Sequence, residues 1–275
     1  MKKIGFIGAG QMGEAIFSGF LKSGAAPADH IFVSCRTQEK ADAVAAKYPG
    51  VRTMVSADET GVAQLVDASD IVVIATLPQI AGFILPAVDK AADPSRHIVV
   101  SIMGGFTCAK VEEYIKETPV ICVQPNTPMS VLEGAAAVAG GKNATREQID
   151  EILSLFAHVG TAMEVDERLM DAFTAISGCG PAFCAQFICG LADGAVAAGL
   201  PRQQAIMVAA QTLVGTGKMI LESGIHPEVL KDNVCSPGGT TIAGSIYLEQ
   251  HGFRGTAAGA VDALIKRMHR VVEES

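Results

Sequence analysis

The chain has 275 residues, of which 49% are hydrophobic, 18% are charged and 5% are aromatic. This composition is too apolar for a disordered protein. The formal net charge is -8, and no run of basic residues interrupts it, which excludes a cationic face that wraps nucleic acid. An acidic chain can still bind an anionic small molecule through its backbone N–H groups.

The cysteines and histidines show no spacing typical of a metal site. Seven cysteines stand at positions 35, 108, 122, 179, 184, 189 and 235, without a C-x-x-C pair. Since no signal peptide precedes them, they predict free thiols in a reducing, cytoplasmic compartment. Cys179, Cys184 and Cys189 differ by about 140° per step around a helix, so they cannot share a face. The six histidines are scattered, and we expect no bound metal.

Short runs rich in Ile and Val alternate with helical stretches over the first 165 residues. The predicted strands are Lys3–Gly8, His30–Cys35, Ile71–Thr76, His97–Ile102 and Val120–Gln124, with Gly134–Gly140 and Thr161–Val165 as edge strands. The predicted helices are Met12–Ser23, Thr37–Lys47, Glu59–Ala68, Gln79–Ala91, Cys108–Lys116 and Thr145–His158, the last with a capping box of Thr145 and Gln148. This alternation predicts an α/β fold with a doubly wound parallel sheet.

The short Ile- and Val-rich runs that predict strands end after Val165, and only helices are predicted beyond this residue. They are Asp166–Ser177, Ala182–Ala198, Gln203–Glu222, His226–Asn233, Thr240–Gln250 and Gly255–Glu274. We place a domain boundary here, giving domains 1–165 and 166–275. The segment Ala172–Ala192 has no charged residue and is long enough for a membrane span. Pro181 interrupts this segment, however. The favoured interpretation is that a helix apolar on every face is buried against a second copy of the chain. We therefore expect no membrane span.

Gly8, Gly10 and Gly13 fit the G-x-G-x-x-G pattern directly after the first strand. In this context Gly8 permits the tight turn, Gly10 lets the backbone approach a pyrophosphate, and Gly13 lets the helix pack closely on the sheet. The helix that starts with Gln11 and Met12 presents its N-terminal N–H groups to the phosphates. The first domain is therefore predicted to be of the Rossmann type and to bind a dinucleotide.

The end of the second strand indicates which dinucleotide binds. An NAD site usually has an acidic residue there, whereas this chain has Arg36 between Ser34 and Thr37. A guanidinium binds phosphate through two parallel hydrogen bonds, and the two hydroxyls could add donors. We therefore predict NADP(H), with NAD(H) as a weaker alternative. The other interpretation of Arg36 is that it only starts a solvated helix.

Two later strand ends, and the turn that follows the next strand, should also border the cofactor, because ligands of open sheets bind beyond the carboxyl ends of the strands. The predicted cofactor-binding residues there are Ala75, Thr76, Leu77, Pro78, Ser101 and Asn126. Asn126 has an equally good interpretation as a turn former.

A second glycine loop, Ser236–Thr241, precedes a predicted helix in the C-terminal domain. Gly238 and Gly239 leave backbone N–H groups accessible, and the adjacent hydroxyls add donors, which suits a carboxylate. The alternative, slightly favoured on the residues alone, is an ordinary helix start.

Four motifs together resemble the pyrroline-5-carboxylate reductase family: Phe6–Gly13, Asn126–Pro128, Ser177–Ala182 and Asp232–Thr241. The resemblance covers essentially the whole chain. It implies reduction of the cyclic imine 1-pyrroline-5-carboxylate to L-proline, usually with NADPH, as the last step of proline biosynthesis. It also implies an all-α dimerisation domain and a homo-oligomer, either a dimer or a larger ring such as a decamer.

The resemblance also implies the site residues. Ser236, Gly239, Thr240 and Thr241 would hold the substrate carboxylate, at a site shared between subunits. Thr241 and Thr174 are the implied catalytic residues, the first at the imine nitrogen and the second supporting the ring pocket. The chain departs from the family pattern at Leu77, where relatives often have Lys, and at Cys179 and Cys235, where they usually have Ser.

Two other functions remain open on the residues alone. A 3-hydroxyacid dehydrogenase would need a general base such as Lys218 or Lys231 in the helical domain. A non-catalytic NADPH-sensing module would bind the cofactor without turnover.

Overall fold

The computed structural model describes residues 1–56 and 58–274. It contains two compact units: one comprises Met1–Gly178 with the end of the chain from Met268, and the other comprises Cys179–Arg267. The predicted functional boundary at residue 165 stays a prediction.

The first unit is built on an eight-stranded sheet with the order β3-β2-β1-β4-β5-β6-β7-β8. The strands are β1 (Ile4–Ile7), β2 (Ile31–Cys35), β3 (Arg52–Val55), β4 (Ile71–Ile74), β5 (Ile98–Ser101), β6 (Val120–Gln124), β7 (Gly134–Gly140) and β8 (Gly160–Glu164). Neighbouring strands from β3 to β6 are parallel. Their carboxyl ends therefore lie at one edge of the sheet, where a ligand crevice is expected.

The sheet differs from the sequence prediction at its two ends. β7 is antiparallel to β6, and β8 is parallel to β7, so β7 is an interior strand and β8 the edge. The strand β3 (Arg52–Val55) was not predicted. It is half-buried and carries Arg52 and Thr53, and such an edge strand lacks the continuous apolar run that marks the central strands.

The helices of the first unit are α1 (Gln11–Ser23), α2 (Gln38–Lys47), α3 (Glu59–Ala68), α4 (Ala81–Ala91), α5 (Cys108–Glu112), α6 (Arg146–Ala157) and α7 (Met170–Ser177). The capping box of Thr145 and Gln148 is confirmed. The predicted helix Cys108–Lys116 is wrong in its second half, because α5 ends at Glu112 and a turn follows.

Two apolar clusters fill the two faces of the sheet. One contains Phe6, Phe17, Phe20 and Phe156, and their rings pack edge to face or tilted, with centroids 5.5 to 6.3 Å apart. The other joins α3 and α4 to the opposite face of β4 and β5. This burial on both faces is what the continuous Ile and Val runs predicted.

The second unit is helical and buries few of its apolar side chains. It contains α8 (Gly180–Ala197), α9 (Arg202–Ser223), α10 (Pro227–Val234), α11 (Thr240–Gln250) and most of α12 (Phe253–Glu274). Leu221 is 72% exposed, Met207 64% and Val208 54%. By length and composition alone the stretch Glu167–Ala197 could cross a membrane, which is weak evidence by itself.

Removing the Phe156 ring should destabilise the first unit strongly. The side chain is 1% exposed, so we expect Phe156→Ala to lower the free energy of unfolding by about 3–5 kcal/mol. Phe83→Ala is the matched control, since Phe83 is 46% exposed and should cost less than about 1 kcal/mol. Thermal unfolding followed by circular dichroism measures both variants, and equal losses would contradict the assignment of Phe156 to the core.

Candidate active site

The turn after β1 requires glycine at its first position. Gly8 has a φ of +108°, and a Cβ there would lie 2.7 Å from the carbonyl oxygen of Ala75. Its N–H donates to the carbonyl oxygen of Ser34 at 3.1 Å. The turn is thus fixed between the ends of β2 and β4, the strands on either side of β1.

The next two glycines open the turn towards a ligand. A Cβ on Gly10 would meet no atom within 4 Å, whereas one on Gly13 would lie 2.8 Å from the carbonyl oxygen of Gly8. α1 begins at Gln11, and no side chain caps its N-terminus. The first N–H groups of α1, including those of Gln11 and Met12, are therefore available to an anion such as a pyrophosphate.

A cavity of about 510 Å³ lies beside this turn, beyond the ends of β1, β2 and β4. It brings together four predicted cofactor residues: Gly8, Ser34, Arg36 and Thr76. Arg36 is exposed, and its guanidinium forms no ion pair with the side chains that the structure describes, so it remains available to a ligand phosphate. The apolar part of the lining includes Ile80, Phe83 and Ile84, which suits an adenine ring.

Hydroxyl groups near Arg36 have different partners. The Ser34 hydroxyl lies 2.9 Å from that of Ser56, a cavity residue that the sequence did not single out because it follows the unpredicted β3. The Thr37 hydroxyl accepts from the N–H of Lys40 at 3.3 Å and so caps α2. Burial raises the pKa of the neighbouring Cys35 thiol, which keeps negative charge away from a phosphate.

The ends of β4 and β5 provide the remaining predicted contacts. The Thr76 hydroxyl is buried and has no hydrogen-bond partner among the described residues, which points to a ligand as its partner. Ala75 and Pro78 are partly buried and Leu77 is 72% exposed. The Ser101 hydroxyl is 3.4 Å from the N–H of Met103, an internal contact.

Asn126 is buried, and backbone groups engage both ends of its amide. Its Nδ2 donates to the carbonyl oxygen of Ser177 at 3.0 Å, and its Oδ1 accepts from the N–H of Ala135 at 2.8 Å. The side chain therefore joins the end of α7 to the start of β7. This contact favours a positioning role, and its role in cofactor binding stays a prediction.

A second cavity of about 500 Å³ lies beyond the ends of β5 and β6 in the same unit. Thr174 lines it, together with Gly104, Gly105 and Gln124. The sequence predicted Thr174 only through the family resemblance. The cavity depends on α7 covering these strand ends, and no local pattern indicates that contact.

The loop Ser236–Thr241 belongs to the second unit. Gly238 has a φ of +68°, and the N–H of Gly239 donates to the carbonyl oxygen of Ser236 at 2.9 Å. α11 begins at Thr240 with Gly239 as its N-cap and no side-chain cap. The hydroxyls of Ser236, Thr240 and Thr241 are on exposed residues, so this loop can present both N–H groups and hydroxyls to a carboxylate.

Two protein-family models match the chain. Residues 3–105 match the model described as NADP oxidoreductase coenzyme F420-dependent. Residues 167–271 match the model described as pyrroline-5-carboxylate reductase dimerisation. The first match contains the Gly8 turn and Arg36, and the second contains Thr174 and the Ser236–Thr241 loop.

Curated relatives match over nearly the whole chain. A pyrroline-5-carboxylate reductase from Methanosarcina acetivorans is 43% identical over 99% of this chain and 97% of the relative. Another from Arabidopsis thaliana is 38% identical over 96% of this chain and 94% of the relative. Human pyrroline-5-carboxylate reductase 2 is 42% identical over 94% of this chain and 81% of the relative.

Solved structures agree with these relatives. A pyrroline carboxylate reductase from Plasmodium falciparum, crystallised with NADP bound, is 33% identical, with a TM-score of 0.83 over 97% of both chains. A pyrroline-5-carboxylate reductase from Coxiella burnetii has a TM-score of 0.87 over 98% of both chains at 27% identity.

Arg36 should discriminate between the two nicotinamide dinucleotides. Loss of a charge-assisted contact to the 2′-phosphate costs about 1.5–3 kcal/mol, so Arg36→Ala should weaken NADPH binding by roughly ten- to a hundredfold and leave NADH binding unchanged. Fluorescence titration of each dinucleotide measures this.

Arg52→Ala is the matched control for Arg36→Ala. Arg52 is also exposed and starts β3, at the opposite edge of the parallel sheet from the cavity. We expect this variant to bind both dinucleotides like the wild type. An equal loss of NADPH and NADH affinity in Arg36→Ala would refute the 2′-phosphate contact.

Proposed function

The chain belongs to the pyrroline-5-carboxylate reductase family, and from that membership we propose which residues perform the reaction. The enzyme reduces 1-pyrroline-5-carboxylate to L-proline with NADPH, the last step of proline biosynthesis. The match of 43% identity over 99% of the chain carries this conclusion. The weaker use of NADH is part of the proposal.

The crevice of the first unit fits NADPH. A Cβ on Gly8 would fill the turn, and the buried Thr76 hydroxyl has no partner among the described residues. We assign Gly8, Gly10 and the start of α1 to the pyrophosphate, and Arg36 with Ser34 to the 2′-phosphate. NADPH, when bound, supplies the hydride.

The imine substrate explains why this chain needs no strong general acid. A protonated imine is already an electrophile, so the protein mainly has to orient it and exclude water. We assign the carboxylate to the N–H groups and hydroxyls of Ser236, Gly239 and Thr240. The Thr241 hydroxyl then contacts the ring nitrogen, and Thr174 supports the ring pocket.

The structure argues against Lys231 as the general base that a 3-hydroxyacid dehydrogenase would need. The Lys231 ammonium lies 2.5 Å from Glu228 and 3.4 Å from Asp232. The hydrogen bond to Glu228 raises the pKa of Lys231, so this side chain is positively charged at neutral pH and cannot accept a proton. Family membership disfavours the non-catalytic sensor, and NADPH oxidation dependent on 1-pyrroline-5-carboxylate tests it directly.

Thr241→Ala should reduce catalysis without reducing cofactor affinity. Loss of one hydrogen bond to a charged group costs about 1.5–3 kcal/mol, so kcat/KM for 1-pyrroline-5-carboxylate should fall roughly ten- to a hundredfold. The Kd of NADPH should stay that of the wild type. Absorbance of NADPH at saturating cofactor gives the rate.

Thr161→Ala serves as the control for Thr241→Ala, because Thr161 is exposed on the edge strand β8. It should keep the wild-type rate. Unchanged kcat/KM in Thr241→Ala would remove this hydroxyl from the reaction.

The helices of the second unit form a homodimer interface in this proposal, and rings of dimers such as a decamer are the larger form. The dimerisation model covers these helices, and they expose many apolar side chains in the isolated chain. A second copy would remove that apolar area from water, at about 25 cal/mol per Å². We assign α8, the second-unit part of the apolar stretch Glu167–Ala197, to this contact rather than to a membrane.

A charge on α9 should weaken self-association. Val214 is 49% exposed in the single chain, and Val214→Glu would bury an unpaired carboxylate in the interface. Light scattering coupled to size exclusion should show a dimer or larger for the wild type and a shift towards monomer for the variant. Met163→Glu, at a 45% exposed position on β8, should leave the mass unchanged, and a monomeric wild type would contradict the interface.

The cytoplasm is the proposed compartment. All seven cysteines are free in the structure, including the exposed Cys184 and Cys189. Free exposed thiols are typical of a reducing environment.

A further inference from the structure

Three metal-ligating side chains meet in the first unit, outside the predicted cofactor crevice. The Sγ atoms of Cys108 and Cys122 and a carboxylate oxygen of Glu167 all lie within 4.8 Å of one another. Cys108 begins α5, Cys122 lies in β6, and Glu167 begins the short 3-10 helix Glu167–Leu169. The cluster thus depends on three separate elements.

Hydrogen bonds to the backbone hold the cluster in place. The N–H of Cys108 donates to Oε1 of Glu167 at 2.5 Å, so the carboxylate is held beside the thiols. The Cys108 Sγ donates to the carbonyl oxygen of Ala139 at 3.3 Å, and the Cys122 Sγ to that of Phe106 at 3.7 Å. These thiol hydrogen bonds are weak and can be exchanged for stronger bonds.

The two thiols of the cluster are buried, and Glu167 is partly buried. Both thiols are 3% exposed. The nearby cations have other contacts, since Lys110 lies over the Phe106 ring and Arg168 pairs with Asp166. A bound cation would offset the negative charge that thiolate and carboxylate ligands carry at this site.

The cavity of about 500 Å³ gives access to the cluster. Cys122 and Glu167 both line it, so an ion can reach them from that side. The cavity also leaves room for a water molecule as a further ligand. Three protein ligands plus one open position is the arrangement of many zinc sites.

We propose that Cys108, Cys122 and Glu167 bind a soft divalent cation, Zn²⁺ or its analogue Cd²⁺, with a fourth position open to the cavity. Two thiolates favour zinc over magnesium or calcium. Zinc–sulfur distances of about 2.3 Å place two sulfurs about 3.8 Å apart in tetrahedral geometry, so ligand atoms that lie within 4.8 Å of one another need to approach by at most about 1 Å. Binding releases the two thiol protons to solvent.

Cadmium titration of the reduced full-length enzyme tests this site. The ultraviolet thiolate-to-cadmium charge-transfer band should saturate at one equivalent per chain, and Zn²⁺ should displace it. Cys108→Ala and Cys122→Ala should each weaken binding at least tenfold, and Glu167→Gln should weaken it with the thiols intact. Cys184→Ala and Cys189→Ala remove exposed thiols and should keep the band.

Two results would overturn the proposal. One is a band that survives in both Cys108→Ala and Cys122→Ala, and the other is a band lost in the Cys184→Ala and Cys189→Ala controls. Since a buried cysteine variant can fail to fold, cadmium-113 NMR of the wild type gives an independent reading. A chemical shift typical of two sulfur ligands supports the site, and one typical of oxygen ligands alone excludes it.

Discussion

The close approach of the backbone at Gly8 is the constraint on which the site depends. A side chain at this position would collide with the carbonyl oxygen of Ala75, and the hydrogen bond from Gly8 to Ser34 ties the turn to the end of β2. The carboxyl ends of β1, β2 and β4 therefore lie next to one another at this turn. Arg36 and Thr76 line the resulting crevice, and α1 begins directly after the turn. The anion-binding groups come from distant parts of the sequence, and the turn sets their common geometry.

The sequence predicted features that arise from local patterns. The Gly8 turn, the parallel central strands and the capping box at Thr145 each follow from a few adjacent residues, and the structure confirms them. The strand β3 was missed because an edge strand lacks a continuous apolar run, and Ser56 was missed with it. The antiparallel direction of β7 could not be read from its residues either, because strand direction depends on the path of the connection rather than on the strand itself.

Long-range contacts explain the remaining differences between sequence and structure. Asn126 looked like a turn former or a ligand contact, and the structure adds a third role, in which it holds α7 and β7 together. Cys108, Cys122 and Glu167 carry no motif spacing, yet three elements bring them within 4.8 Å. The sequence expectation of no bound metal was based on the lack of a C-x-x-C pair, on the spacing of three cysteines around one helix and on the scattered histidines. Spacing along the chain cannot detect a cluster whose side chains come from one strand and two separate helical turns.

The segment after β5 joins a predicted cofactor contact to one of the proposed metal ligands. It begins at Ser101, a predicted cofactor contact, and ends at Cys108, where α5 starts. Between them Gly105 has a φ of +75°, a conformation that glycine adopts at little cost, and Gly104 and Gly105 line the cavity of about 500 Å³ beside Thr174. The position of this segment depends on Cys108, whose N–H is bound to Glu167. A metal bound by Cys108 would therefore act on a segment whose other end is Ser101, the predicted cofactor contact, only a few residues of backbone away.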